Sequence, residues 1–268
     1  MWLPAPVLIA GPCVLEHDTV NLRVAEALAE VGARLGIRVV FKGSYDKANR
    51  ARRAAPRGPG LDAGLAMLAR VRDEVGVPVL TDVHEPAHAP AVAAVADALQ
   101  VPAFLCRQTD LVEAVARAGR PMNVKKGQWM APEELAGPVE KARGAGATSI
   151  AVTERGTAFG YGDLVVDMRA IPRLRDATGA AVLFDATHSV QRPGRGPGGA
   201  TGGDRAMVPV LLRAAAAAGV DGFYVETHPT PDAAPSDAAS MWPLADLPHL
   251  IESALDVWHA AQGGRVRA

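Results

Sequence analysis

The stretch FKGSYDKANR, residues 41–50, sets Lys42, Ser44, Lys47, Asn49 and Arg50 directly behind the apolar run Val39-Val40-Phe41. A short apolar run of this kind reads as a buried strand. The strand then delivers two ammonium groups, a hydroxyl, an amide and a guanidinium at its C-terminal end. Donors of these types suit carboxylate or phosphate oxygens, and the guanidinium can bind them bidentately. An exposed basic loop would look the same locally. What decides between the two is whether other strands end the same way.

They do. Seven further runs, Val7–Ala10, Val77–Thr81, Leu99–Ala103, Met122–Lys125, Ser149–Thr153, Ala181–Phe184 and Gly222–Val225, alternate with helix-like stretches rich in Ala, Leu, Arg and Glu. The expected helices cover Thr19–Leu35, Leu61–Val75, Pro90–Ala98, Asp110–Ala118, Pro132–Ala145, Met168–Ala177, Arg205–Ala218 and Leu247–Ala261. Gly36, Gly76, Gly119, Gly146, Gly179 and Gly219 each fall where a helix should hand over to the next strand. Eight alternations predict an α/β fold, a (β/α)8 TIM barrel, as a single domain over 1–268. The irregular segments 51–60, 192–203 and 227–243 all follow strands, which puts them on the C-terminal face where such barrels carry their sites. The glycine-rich 192–203 reads equally as a lid or as a floppy loop.

Composition narrows the function. A 268-residue chain with 49% hydrophobic content can bury a large core, and its net charge of −1 supplies no overall field for nucleic acid or an acidic membrane. Any attraction for anions is therefore local. Two cysteines, Cys13 and Cys106, are too few for a disulfide framework and fit a reducing cytoplasm. The run Val7–Ala10 is short and flanked by Pro4, Pro6 and Pro12, so neither a signal peptide nor a membrane span is expected.

Nearly every strand end contributes a polar residue to the same face: Cys13; Lys42 to Arg50; Asp82 and His84; Gln100 and Arg107; Lys125; Glu154 and Arg155; Asp185, His188 and Gln191; Glu226, His228 and Asp237. Any one of these could be a surface charge or a satisfied core group. Their convergence reads as an active site. Six cations, Lys42, Lys47, Arg50, Arg107, Lys125 and Arg155, would repel one another in an empty pocket. They fit a phosphorylated carboxylic acid plus a second phosphate, unless carboxylates pair them internally, as Glu154 would pair Arg155. Cys13, His188, Glu226 and Asp237 are ligand types for a divalent metal. Their spacing carries no compact motif, but strands seven, eight and one are neighbours in a closed barrel.

The chain resembles the 3-deoxy-D-manno-octulosonate 8-phosphate synthases along nearly its whole length, in AGPCVLE (10–16), FKGSYDKANR (41–50), TDVHEP (81–86), PAFLCRQTDLV (102–112), NVKKGQWMAP (123–132), FDATHSVQRPG (184–194) and GFYVETHPTPDAAPSD (222–237). The resemblance implies a homotetrameric barrel enzyme that condenses phosphoenolpyruvate with D-arabinose 5-phosphate and water, releasing phosphate, for the inner core of lipopolysaccharide. It implies substrate contacts from Lys42, Ser44, Lys47, Asn49, Arg50, Asp82, Gln100, Lys125 and Arg155, with Arg107 reaching the sugar phosphate of a neighbouring subunit. The cysteine at position 13 marks the metal-dependent members, which implies a divalent ion (iron, zinc, manganese or cobalt) on Cys13, His188, Glu226 and Asp237. Lys47, His188 and Asp237 are the expected proton carriers, Lys47 because a lysine among cations readily loses pKa. The ion would either polarise the aldehyde or orient the water. Ala51 departs from a common serine, with Arg52 or Arg53 as substitute donors to the sugar phosphate.

Three rivals remain at this point. A 3-deoxy-heptulosonate 7-phosphate synthase would use erythrose 4-phosphate, but Asn49 stands where that family carries a different segment. A Schiff-base aldolase would use Lys125 or Lys126 as its nucleophile. A barrel that only binds sugar phosphates leaves the acid, base and ligand types unexplained.

Overall fold

The structure, a computed structural model, describes residues 1–50 and 53–263; Ala51 and Arg52 lie outside the described residues. Eight parallel strands form the barrel: β1 (Val7–Val14), β2 (Arg38–Ser44), β3 (Val79–Asp82), β4 (Ala98–Val101), β5 (Met122–Lys125), β6 (Ile150–Glu154), β7 (Ala181–Asp185) and β8 (Gly222–His228). Each pairs with the next, and β8 closes on β1 with Val7 opposite Gly222 and Gly11 opposite Glu226. Around them run α1 (Asp18–Leu35), α2 (Leu61–Val75), α3 (Ala89–Val95), α4 (Thr109–Arg117), α5 (Ala136–Gly144), α6 (Ala170–Thr178), α7 (Val208–Ala217) and α8 (Leu247–Gly263). The (β/α)8 expectation holds.

The strands read as continuous apolar runs because both of their faces are buried. Leu8, Ala10, Val39, Phe41, Leu99, Val101, Val152, Phe184 and Phe223 face the helices and form the larger core. Val7, Ile9, Val40, Leu80, Ala98, Ala151, Leu183 and Tyr224 fill the barrel interior. Trp2 closes that interior from below, its indole Nε1 donating to the Ser149 carbonyl at 3.3 Å. With the lower barrel plugged, polar side chains have room only at the C-terminal mouth.

Three expected helices start or stop differently. The third ends at Val95 rather than Ala98, because Ala98 already pairs with Leu80 in the sheet. The fifth and seventh open as 3-10 turns over Pro132–Leu135 and Arg205–Met207. Pro138 and Pro209 lack the N–H that would bond the carbonyls four residues back, so neither α-helix extends continuously upstream. The glycine stops after α1, α2 and α6 hold: Gly36, Gly76 and Gly179 have φ of 65°, 78° and 60°.

Two short antiparallel pairings decorate the mouth. Thr157–Phe159 pairs with Asp163–Val165 after β6, and Gln191–Arg192 pairs with Gly202–Gly203 after β7. The second anchors both ends of the glycine-rich segment. Below it, the β1–β2 register shifts between Ala10 and Cys13. Gly11 permits that close approach, since a Cβ there would lie 1.8 Å from the Lys42 carbonyl oxygen. The shift places Cys13 at the rim.

Candidate active site

The floor of the mouth is a chain of side chains from five successive strands. Thr153 Oγ1 donates to Asn123 Oδ1 at 2.7 Å, Asn123 Nδ2 to Gln100 Oε1 at 2.8 Å, and Gln100 Nε2 to Asp82 Oδ1 at 2.6 Å. Ser44 donates to the other Asp82 oxygen, which also lies 3.4 Å from Lys42 Nζ. Burial alone would push the Asp82 carboxyl up, but Lys42, His84, Lys47 and the Ser44 hydroxyl hold it well below the usual range. Lys42 is thereby fixed, with further contacts to the Cys13 carbonyl at 2.9 Å and Glu226 Oε1 at 3.3 Å.

Above this floor, one ligand atom each from Cys13, His188 and Asp237 lies within 4.8 Å of the other two. Cys13 Sγ is 2.9 Å from Asp237 Oδ2, and His188 Nε2 is 3.6 Å from the same oxygen. Glu226 stands just outside the trio, its Oε1 3.8 Å from His188 Nε2 but engaged by Lys42 and by Tyr224 Oη at 3.1 Å. Its Oε2 is buried and makes no hydrogen bond among the described residues. His188 Nδ1 meets Asp185 Oδ2 at 2.6 Å, which leaves Nε2 to face the cluster. A carboxylate behind the ring is the usual arrangement for a histidine that ligates a metal. A thiol, an imidazole and two carboxylates, one oxygen of them unclaimed, fit a divalent cation.

The backbone is unusual at two of these residues. Cys13 and Asp237 have φ of 72° and 56°, the non-glycine residues with positive φ among those described. Such conformations cost about 1–3 kcal/mol and persist where surrounding contacts over-determine them. Burial, then Asp237 and Glu226, raise the Cys13 thiol well above its ordinary pKa. The Asp237 carboxyl is held well below its own: burial opposes this, but His188, Lys47 and the thiol outweigh it.

The cations are not an unpaired cluster. Lys125 sits against Asp185, with Nζ 3.6 Å over the Tyr224 ring, and burial pulls its pKa down. Lys47 Nζ reaches Cys13 Sγ at 2.6 Å and Asp237 Oδ2 at 4.0 Å. Burial alone would lower the Lys47 pKa, but Cys13, Asp237 and Glu226 raise it, so the reason offered for Lys47 as a depressed-pKa proton carrier does not hold. Arg50 bonds Ser236 Oγ at 3.1 Å and the Pro235 carbonyl at 2.9 Å. Glu154 does not pair Arg155. It turns outward, 3.7 Å from Lys126. Arg155 NH2 instead donates to Gln191 Oε1 at 2.6 Å, and its buried NH1 has no hydrogen-bond partner among the described residues.

Asn49 and Arg107 are exposed, and neither side chain makes a hydrogen bond or ion pair to this cluster among the described residues. One side chain it does include, Tyr224, was not named above, and Asp185 and Gln191 were named only among the strand-end polar residues, with no role given to either. The signal for Asp185 was present, since FDATH puts an acid three residues before the ligand-type histidine. Lys126 is fully buried among the carbonyls of Gly127, Met130 and Gly156. It is unavailable as a Schiff-base nucleophile.

Known proteins resemble this chain over most of its length. The sequence profile of the DAHP synthetase I family matches residues 4–259. A 2-dehydro-3-deoxyphosphooctonate aldolase of Alkalilimnicola ehrlichii is 54% identical over 256 residues, covering 96% of this chain and 92% of that protein. Proteins of the same name from Rhodopseudomonas palustris, strain HaA2, and Acidithiobacillus ferrooxidans are 54% and 52% identical over 95% of this chain, covering 88% and 90% of theirs. The chain belongs to the DAHP synthetase I family, and within it to the 2-dehydro-3-deoxyphosphooctonate aldolases.

Proposed function

We propose that the protein condenses phosphoenolpyruvate with D-arabinose 5-phosphate and water, giving 3-deoxy-D-manno-octulosonate 8-phosphate and inorganic phosphate for the lipopolysaccharide inner core. The observation that carries the site reading is the buried Arg155 NH1, an unfilled donor beside the trio of Cys13, His188 and Asp237. Arg155 and Lys125 take the phosphate of phosphoenolpyruvate. Lys42, Ser44 and Lys47 take its carboxylate, over the floor made by Asp82 and Gln100. Asn49, Arg50 and a neighbouring copy's Arg107 take the sugar phosphate.

The chemistry joins C3 of phosphoenolpyruvate to the aldehyde carbon, while water adds at C2. The resulting hemiketal phosphate then loses phosphate. Arg155 and Lys125 balance the charge that gathers on the departing group. Lys47, which stays charged beside Cys13 and Asp237, gives a proton to the aldehyde oxygen as it becomes a hydroxyl. Asp237 and His188 are the acceptors for the proton that the water gives up.

Cys13, His188, Glu226 and Asp237 would hold a divalent ion, drawn from iron, zinc, manganese or cobalt. When bound, such an ion supplies Lewis-acid polarisation of an oxygen at this end of the cleft. A homotetramer belongs to the same reading. It is supported by Phe104 and Trp129, each half-exposed and stacked 6.0 Å apart, with Phe104 three residues before exposed Arg107. A cytoplasmic setting is supported by two free cysteines, and no helix among the described residues is long and apolar enough to cross a membrane.

The test is product identity. Incubation with phosphoenolpyruvate and D-arabinose 5-phosphate should yield the eight-carbon acid phosphate by mass spectrometry, with one phosphate released per product. Absence of that mass, or a seven-carbon acid formed faster from erythrose 4-phosphate, would overturn the assignment.

A further inference from the structure

We infer that Gln191 couples the two halves of the site. An anion on Arg155 and a divalent cation on the Cys13, His188 and Asp237 trio each tighten the other's binding through this one amide. The inference rests on the site reading above.

Gln191 is buried where β7 hands over to the glycine-rich segment, between the loop ends of β6 and β8. Its Nε2 donates to Asp237 Oδ1 at 2.7 Å, and its Oε1 accepts from Arg155 NH2 at 2.6 Å. An amide has one donor end and one acceptor end, so this orientation satisfies both partners and the flipped one satisfies neither. Holding Oδ1 leaves Asp237 Oδ2 to face Cys13 Sγ and His188 Nε2. Holding NH2 leaves Arg155 NH1 as the buried donor without a partner. One side chain thus selects which oxygen meets the cation and which nitrogen meets the anion.

Asp237 needs such a tether, because its left-handed backbone (φ 56°) is held against its own preference. A phosphate on NH1 immobilises Arg155, and through the amide it immobilises Asp237. The cation then pays less to order its ligand, and by reciprocity the anion gains equally from a bound cation. Direct attraction between the two charges also couples them, so the test must separate the bridge from that field. Gln191→Met does so: it is neutral, similar in volume and unable to bridge.

The experiment titrates Co(II) into the full-length protein, read by thiolate-to-cobalt absorption, with and without phosphoenolpyruvate and separately with inorganic phosphate. Phosphoenolpyruvate binding is then measured with and without Co(II). In the wild type each ligand is expected to tighten the other by about 5- to 150-fold, the usual span of such couplings. In Gln191→Met the factor falls at least about fivefold, and equally in both directions. Inorganic phosphate should shift cobalt affinity in the same direction, since the bridge meets only the phosphate end. Gln191→Asn, which keeps the amide but is one methylene too short to span both partners, should lose the same coupling and serves if the methionine variant does not fold. Equal coupling factors in wild type and variants would overturn the inference. Absence of a thiolate band in the wild type would overturn the site reading itself, an outcome plainly different from a normal band with unaltered coupling.

Discussion

Replacing Lys126 by methionine should destabilise the barrel strongly without touching the cleft. Lys126 follows Lys125 on alternating backbone, so one lysine points to the mouth and the other behind it. Its Nζ lies 3.1 to 3.3 Å from Gly127 O, Met130 O, Gly156 O and Thr157 Oγ1, and 3.7 Å from Glu154 Oε1. Methionine fills similar volume but leaves buried carbonyls unpaired and strips Glu154 of its cation. Removing one partner of a buried pair costs about 3–5 kcal/mol. For a chain of this size that lowers the thermal midpoint by about 5–9 °C at pH 8. Burial already raises the Glu154 carboxyl above its ordinary pKa, and Lys126 works against that rise. Without the lysine it climbs further. A carboxyl raised in the fold binds its proton there before the unfolded chain does, so stability is retained at low pH and lost as pH rises through the folded value. The deficit should therefore shrink at pH 5, and adding Glu154→Gln should recover part of it at pH 8. Scanning calorimetry of the three proteins at both pH values decides. A deficit below about 1 kcal/mol at pH 8, the scale of an ordinary surface change, or one insensitive to pH and to Glu154→Gln, would refute the reasoning.

Other consequences follow from the same contacts. Cys13→Asn should abolish the thiolate-to-cobalt band while leaving the fold intact by circular dichroism. Because the Cys13 thiol is raised by burial, a metal must displace its proton. Metal affinity should then rise with pH, and calorimetry in buffers of different ionisation enthalpy should register proton release; affinity unchanged from pH 6 to 8 contradicts this. Arg107→Ala removes an exposed side chain, so KM for arabinose 5-phosphate should rise by about 10- to 150-fold, the loss of one charged hydrogen bond, with the thermal midpoint almost unmoved. Gly11→Ala would drive a Cβ to within 1.8 Å of the Lys42 carbonyl oxygen and should cost more than about 4 kcal/mol, read as insoluble or unfolded protein.

Periodicity and glycine stops made the barrel legible, because a strand buried on both faces and a helix ending at Gly36 or Gly179 are local events. The proline-split starts of α5 and α7 were equally local, in Pro138 and Pro209, and were passed over because alanine-rich runs read as helix throughout. Strand ends made the types of the site residues legible. Their pairing was not. Nothing near Lys125 in the chain announces Asp185 sixty residues on, and Arg155 reads as the partner of adjacent Glu154 until alternation turns the two to opposite sides. The left-handed backbone at Cys13 and Asp237 leaves no mark in composition either, since neither is a glycine. Gln191 is legible as a strand-end polar residue but not as a bridge, because that role exists only once three loop ends meet.

The proposed reaction joins phosphoenolpyruvate to a five-carbon aldose phosphate at a site built around Cys13, His188 and Asp237. The most direct measurement is the rate of phosphate release from phosphoenolpyruvate with arabinose 5-phosphate and, separately, with erythrose 4-phosphate, before chelation, after it, and after metal add-back. Release is expected with arabinose 5-phosphate, abolished by chelation and restored by a divalent metal. Faster release with erythrose 4-phosphate would contradict the substrate assignment, and full activity after exhaustive chelation would contradict the metal role of Cys13.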